Sequence, residues 1–173
     1  MGNTYRLVGK YQQAINFQQQ SLEIEREIGN RQGEANSLGN LGSAYDSLGE
    51  YQRAINFQQQ SLEIKREVGD LHGEANSLGN LGNIYDSLGE YQRAIDFYQQ
   101  SLEIQGEIGD LQGGATSRFN QAGSLIKYKR YSDGIDLFRQ AQAIFSELGL
   151  EHMVEKCSQA IDGLKEVITA QEN

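Results

Sequence analysis

Residues 76–90, NSLGNLGNIYDSLGE, place two glycines, Gly79 and Gly82, three residues apart in a segment whose apolar residues otherwise keep helical spacing. A glycine inside a helix costs about 1 kcal/mol relative to alanine. The segment is therefore either a loop or a helix that needs side chains to be absent at two places. Ala75, Leu78, Leu81, Gly82, Tyr85 and Leu88 recur at intervals of three and four, as one face of a helix does. Gly79-Asn80-Leu81-Gly82 has no strand before it and lacks the lysine of a phosphate-binding loop. The segment reads as a helix.

Working outward, residues 11–50 and 51–90 align without gaps and differ at eight places: Gln13/Arg53, Glu25/Lys65, Ile28/Val68, Asn30/Asp70, Arg31/Leu71, Gln32/His72, Ser43/Asn83 and Ala44/Ile84. The pattern continues more loosely through 91–130 and faintly through 131–148, so the period is forty residues. Each unit holds a first helix of the 75–88 type and a second, whose broader apolar surface (Tyr91, Ala94, Ile95, Phe97, Ser101, Leu102, Ile104, Ile108) packs on neighbours at two sides. Gly89 supplies a stop between the two. Gly29-Asn30, Gly69-Asp70 and Gly109-Asp110 each supply a terminating glycine followed by an N-cap. Short connections make successive helices, each about 25 Å long, antiparallel.

The ends differ from the middle. GNTYRLVGKYQQAI (2–15) matches GNIYDSLGEYQRAI (82–95), which sets Met1 at the place of Leu81 and begins the chain midway through a unit. From Gly149 onward Met153, Val154, Cys157, Ala160, Ile161, Leu164, Val167 and Ile168 form one apolar stripe. Glu151, Glu155, Lys156, Gln159, Asp162, Lys165 and Glu166 cover the other side, as suits a helix that closes an array. The expected organisation is one domain over 1–173: a truncated first repeat (1–30), repeats 31–70, 71–110 and 111–149, and a capping helix over 150–170.

Composition bounds the function. A formal charge of −9 and a pI near 4.7 disfavour nucleic acid and anionic lipid as partners. No apolar run approaches the roughly 18 residues that span a membrane. The start MGNTYR has Arg6 where a myristoylation signal needs Ser or Thr, and it lacks an apolar signal core, so a cytoplasmic location is expected. The single cysteine, Cys157, excludes an internal disulfide and a cysteine-cluster metal site, and His72 and His152 lack ligand spacing. Cys157 reads as a small buried hydrophobe in the cap stripe. Neither a cofactor nor a metal is expected, and no catalytic constellation is present.

LGNLGNIYDSLGEYQRAIDFYQQSLEI (78–104) resembles the tetratricopeptide repeat through Leu81, Gly82 and Tyr85 in the first helix and Gly89, Tyr91, Ala94, Phe97, Ser101 and Leu102 in the second. The same set recurs as Leu41, Gly42, Tyr45, Gly49, Tyr51, Ala54, Phe57, Ser61 and Leu62, so the resemblance covers essentially the whole chain. The forty-residue length and the NLGN wording are most similar to the long-helix variety of kinesin light chains, Pins-type adaptors and cyanobacterial multi-repeat proteins. The proline that ends many such repeats is absent, and Leu38 and Leu78 stand where tryptophan is common. The resemblance implies an all-α, right-handed superhelical solenoid of antiparallel helix pairs whose first helices line a concave groove.

Opposite the apolar face, Asn76, Asn80, Asn83 and Ser87 form a polar stripe, repeated as Asn36, Asn40, Ser43 and Ser47 and kept as Asn120 in the diverged third unit. The resemblance implies that such an asparagine ladder holds the backbone of an extended peptide. An amide side chain offers both a donor and an acceptor, which matches a peptide group whatever its sequence. Asp46 and Asp86 flank the stripe and Lys127 lies near its far end, so these charges are expected to tune selectivity. Gly82 reads as a packing glycine and Gly79, beside Asn80, as room at the groove edge for a ligand backbone. Ala115, Phe119, Ala122 and Ile126 read either as a hydrophobic pocket or as repacking against the cap helix.

The expected function is non-catalytic binding of a neutral or basic segment of another protein. The alternative is a structural one, in which the chain self-assembles as a homo-oligomer through its uncapped first repeat or is a spacer fragment of a larger signalling protein.

Overall fold

In a computed structural model the backbone is described over residues 2–172 and the side chains over residues 10–166. Met1 and the cap-stripe residues Val167 and Ile168 lie outside the described side chains. All regular structure among the described residues is helical: α1 (Gly2–Glu27), α2 (Arg31–Ser47), α3 (Tyr51–Val68), α4 (Leu71–Ser87), α5 (Tyr91–Ile108), α6 (Leu111–Lys127), α7 (Tyr131–Glu147) and α8 (Glu151–Glu172). The chain divides into two compact units, Met1–Ile84 and Tyr85–Asn173, with the division inside α4.

Punctuation follows the sequence. Gly29, Gly49, Gly69, Gly89, Gly109 and Gly149 all close helices at positive φ. Lys129 holds the equivalent place after α6 with φ of 65°. Asn30, Asp70 and Asp110 each accept a hydrogen bond from the backbone N–H three residues on, at 3.1, 2.8 and 2.8 Å, which satisfies a donor the helix start leaves open.

In the first unit α1 packs on α2 and α2 on α3. Ala35, Leu38, Leu41, Tyr45, Ala54 and Leu62 are buried, as the periodicity requires. The Tyr45 ring stacks on Phe57 with centroids 5.3 Å apart, and Arg53 lies over the Tyr45 ring, 4.0 Å from its centroid. A serine pair joins each second helix to the next first helix at a constant offset of sixteen residues: Ser21 with Ser37 at 3.2 Å and Ser61 with Ser77 at 3.4 Å. Ser101 and Ser117 repeat it in the second unit at 3.4 Å.

One turn after those serines, the side chain beside each cap differs from repeat to repeat. A Cβ on Gly33 would meet the Glu25 carboxylate, one on Gly73 the Lys65 stem, and one on Gly113 the Gln105 amide. Lys65 is buried and its ammonium donates to Ser77 Oγ at 3.1 Å. Burial pulls its pKa below the usual lysine value, with Asp70 opposing that shift. Glu34, also buried, is held by Arg26 and Arg31, and chiefly the Arg26 hydrogen bond lowers its pKa.

At the chain start α1 is one unbroken helix from Gly2 to Glu27, straight through Gly9. A half-length helix has little surface with which to hold a turn, and extending the existing helix adds one backbone bond per residue.

In the second unit Ala115, Ala122 and Phe119 pack with Phe138, Phe145, Cys157 and Ile161. Phe119 meets Phe138 edge-on at 5.1 Å between centroids, and Ile126 fills the space a side chain at Gly134 would need. These apolar residues of α6 are thus core repacked against α7 and α8, not a pocket. Cys157 is buried there as expected, and burial pushes its thiol pKa up. On α8, Glu155, Lys156, Gln159, Asp162, Lys165 and Glu166 are exposed on the opposite side.

Candidate binding surface

The polar stripe in the first unit is built by α2 and α4. Gln32 donates to the α4 cap residue Asp70 at 2.6 Å and Arg31 pairs with Glu67, so the first turn of α2 is tied to the start of α4. Above these ties Asn36, Asn40 and Ser43 on α2 are exposed, as are Asn76 and Asn83 on α4, while Asn80 is half-buried. The apolar residues between them in sequence (Leu38, Leu41, Leu78, Leu81) are buried, so the amides stand on the opposite side of each helix.

Their engagement varies. Asn36 makes no side-chain hydrogen bond among the described residues. Asn40 Nδ2 reaches Gln18 Oε1 at 3.4 Å, the edge of bonding distance, and Asn76 Nδ2 lies 3.0 Å from His72 Nδ1 one turn back. Ser43 is occupied by the scaffold: its hydroxyl donates to Gly39 O at 3.2 Å and accepts from Gln58 Nε2 at 3.3 Å. Gln58 is fully buried and also donates to Gly39 O at 3.0 Å, while its Oε1 has no partner. In the sequence it is one of three consecutive glutamines, Gln58–Gln60, with nothing in its spacing to set it apart.

In α2, Gly39 and Gly42 hold the places that Gly79 and Gly82 hold in α4. A Cβ on Gly42, at the place of Gly82, would lie 2.7 Å from Gln58 Cγ, so this glycine is a packing glycine. A Cβ on Gly39, at the place of Gly79, would lie 3.2 Å from Ser61 Oγ and 3.9 Å from Lys65 Nζ. Gly39 therefore also faces α3, not a groove edge.

The expected selectivity charges are not equivalent. In the second unit Asp86 accepts from Ser124 Oγ at 2.7 Å and pairs with Lys127, whose ammonium also lies 5.8 Å from the Tyr91 ring centroid. These two charges neutralise each other. Asp46, half-buried, has no side-chain partner among the described residues, and burial pushes its pKa up. Asn120 in the same unit as Lys127 is half-buried. A cleft of about 450 Å³ opens between α5, α6 and α7, lined by Asp96, Gln121, Leu125, Arg130 and Asp133 among others, and none of the expected binding residues borders it. Among the described residues no His/Cys/Asp/Glu group could hold a metal, and no helix is long and apolar enough to cross a membrane.

The arrangement matches known proteins in fold. The family model described as tetratricopeptide repeat matches residues 1–67 and 59–107. No curated protein matches the chain. Among solved structures, BtubC (BKLC) from P. vanneervenii is 18% identical with a TM-score of 0.78, over 91% of this chain and 66% of that one. A Podosopora anserina kinesin light chain-like protein with nearly identical TPR-like repeats is 19% identical with a TM-score of 0.70, over 98% and 88%. A Rap protein complexed with Competence and Sporulation Factor is 14% identical with a TM-score of 0.81, over 98% of this chain and 51% of that one. The chain thus spans about two thirds of BtubC and half of the Rap protein, and at these identities the likeness is one of fold: antiparallel helix pairs in a solenoid. Repeats of this kind generally mediate protein–protein interactions and are usually non-catalytic. The matched family model covers more than half of the sequence, and the chain belongs to the tetratricopeptide repeat family.

Proposed function

We propose that the chain is a non-catalytic, cytoplasmic interaction module that holds an extended segment of a partner protein by its backbone, through the asparagines on α2 and α4. The observation that carries this reading is the stripe of exposed amides, Asn36, Asn40, Asn76 and Asn83, on helices whose opposite side is buried. Half-buried Asn80 lies on the same stripe, and half-buried Asn120 of the second unit holds the equivalent place in the sequence repeat. Each amide presents a donor and an acceptor to a peptide group irrespective of partner sequence. Ser43 contributes less than the asparagines, since both of its bonding roles are taken. Gly79 is better read as a packing glycine, by the example of Gly39. Asp86 and Lys127 act on selectivity only by way of their mutual pairing, which leaves Asp46 as the acidic group to meet a partner cation. A neutral or basic segment suits the net charge of −9.

Random peptides displayed on phage and selected on the intact chain test the reading. The selected peptides should bind the triple variant Asn36→Ala, Asn40→Ala, Asn76→Ala at least about tenfold more weakly, since two or three lost hydrogen bonds amount to a few kcal/mol. The thermal melt should stay within a degree or two, because all three side chains are exposed. Equal binding by the triple variant, or no enrichment at all, would remove the ladder from the function.

A further inference from the structure

Ala14, Phe17, Ser21 and Ile24 of α1 recur residue for residue on α3 as Ala54, Phe57, Ser61 and Ile64. On α3 the set belongs to the interface with α2. Ala54 and Ile64 are 0% and 6% exposed, Phe57 stacks on Tyr45, and Ser61 Oγ donates to Ala35 O at 2.8 Å. On α1 the apolar members stand in solvent, while half-buried Ser21 meets Ser37: Phe17 is 70% exposed and Ile24 56%, with Ile28 one turn on at 68%. Those are three of the four most exposed large hydrophobic side chains among the described residues; Phe17 and Ile24 share one face of α1 and Ile28 directly follows its end, which marks an interaction surface rather than scattered apolar residues. Because α1 runs unbroken from Gly2, the chain does not fold back at Gly9 to cover it.

The α2–α3 interface shows what fits such a face. Gly39 lies against Ser61, Gly42 against Gln58, and Tyr45 against Phe57. The covering helix therefore carries Gly-x-x-Gly-x-x-Tyr, two absent side chains that let the backbones approach and a ring that stacks at the far end. Gln18, Ser21 and Phe17 offer the same three places on α1. A second copy of α1 does not supply the complement, since its own face has Ala14, Phe17, Ser21, Ile24 and Ile28 and no glycine at the close approach.

We infer that the Phe17–Ile24 face of α1 is a docking surface for a partner helix with the Gly-x-x-Gly-x-x-Tyr pattern, the first helix of another tetratricopeptide pair. This surface is separate from the asparagine stripe.

The probe is a fluorescein-labelled peptide of residues 31–50, RQGEANSLGNLGSAYDSLGE, titrated into the full chain and followed by fluorescence anisotropy. The expected result is saturable binding with one peptide per chain. Binding should weaken at least tenfold with Phe17→Ser in the chain, and likewise with leucine at the positions of Gly39 and Gly42 in the peptide. Phe17→Ser leaves the fold intact, because the ring is exposed, and an unchanged thermal melt verifies this. Absence of binding overturns the proposal. So does binding that ignores Phe17→Ser, which would mean the peptide exchanges with α2, and so does equal binding of the leucine peptide, which would mean unspecific adhesion. A dimer in light scattering that Phe17→Ser dissolves, with no peptide binding, overturns it in favour of a second copy.

Discussion

Replacing Gly42 by alanine isolates the close approach of α2 and α3. The new Cβ would lie 2.7 Å from Gln58 Cγ and 2.9 Å from both Cδ and Nε2, well inside van der Waals contact. Gln58 has little freedom to yield, being fully buried and bonded through Nε2 to Gly39 O and Ser43 Oγ. Forcing an extra carbon into a packed site costs about 1–3 kcal/mol, and surrendering the two Gln58 bonds costs about 1 kcal/mol each. Against this, alanine gains about 1 kcal/mol of helix propensity over glycine. The net expectation is a loss of about 2–4 kcal/mol.

Gly123, inside α6, is the control, because no atom lies within 4 Å of its would-be Cβ. There the propensity gain stands alone, and Gly123→Ala should stabilise by about 0.5–1 kcal/mol. Urea unfolding followed by far-ultraviolet circular dichroism measures both. Adding Gln58→Ala to Gly42→Ala should recover part of the loss relative to the sum of the single changes, since the clash disappears with the glutamine. α6 tolerates alanine at this place, as Ala122, where it clusters with Phe138 instead of a glutamine. A Gly42→Ala variant as stabilised as Gly123→Ala would refute the close-approach argument.

Two further predictions concern side chains held against their preferences. Lys65→Met should stabilise the chain by about 1 kcal/mol at neutral pH, because it removes an ammonium buried with one hydroxyl partner. Since the folded pKa lies below the 10.5 of the unfolded side chain, the unfolded state holds the proton more tightly, and wild-type stability rises as pH climbs through that window. The advantage of Lys65→Met, measured by urea titrations from neutral to alkaline pH, should therefore shrink. A constant advantage would mean that burial of charge is not its origin. Lys129→Gly should raise the melting midpoint by the equivalent of about 0.5–1 kcal/mol, because Lys129 occupies the left-handed region where the other helix stops are glycine. An unchanged or lower midpoint in a thermal scan would show that the strain is compensated.

Residues whose role is set by period were legible in the sequence. Leu38, Leu41 and Tyr45 on one side and Asn36 and Asn40 on the other follow from spacing alone, and Gly29, Gly69 and Gly109 announce their turns. What spacing does not disclose is a polar group spent inside. Gln58 and Lys65 look like surface residues by composition, and only the packing of α3 between α2 and α4 buries them. The serine pairs did leave a trace, the sixteen-residue offset recurring three times, which a search for paired polar positions would find. The contact of Gly39 with Ser61 was not legible either, because its angular position lies between the packed side and the stripe, and a single helix cannot say how wide its neighbour is. Likewise Asp86 and Lys127 lie forty-one residues apart, and only the stacking of repeats brings them into a pair.

The junction residues beside the helix caps bear on how so repetitive a chain finds one alignment. Two nearly identical forty-residue segments offer folding a tempting frame-shift, in which a helix docks one repeat early and still buries the right leucines. The cap of α2 is neutral Asn30 and its neighbour is acidic Glu25, whereas the cap of α4 is acidic Asp70 and its neighbour is cationic Lys65. Docked one frame out of place, Glu25 would face Asp70 and the buried Lys65 would lose its counter-charge. Of the eight differences between the segments, this pair acts together as an address label. It spends a little stability at each junction to keep interchangeable parts in their order.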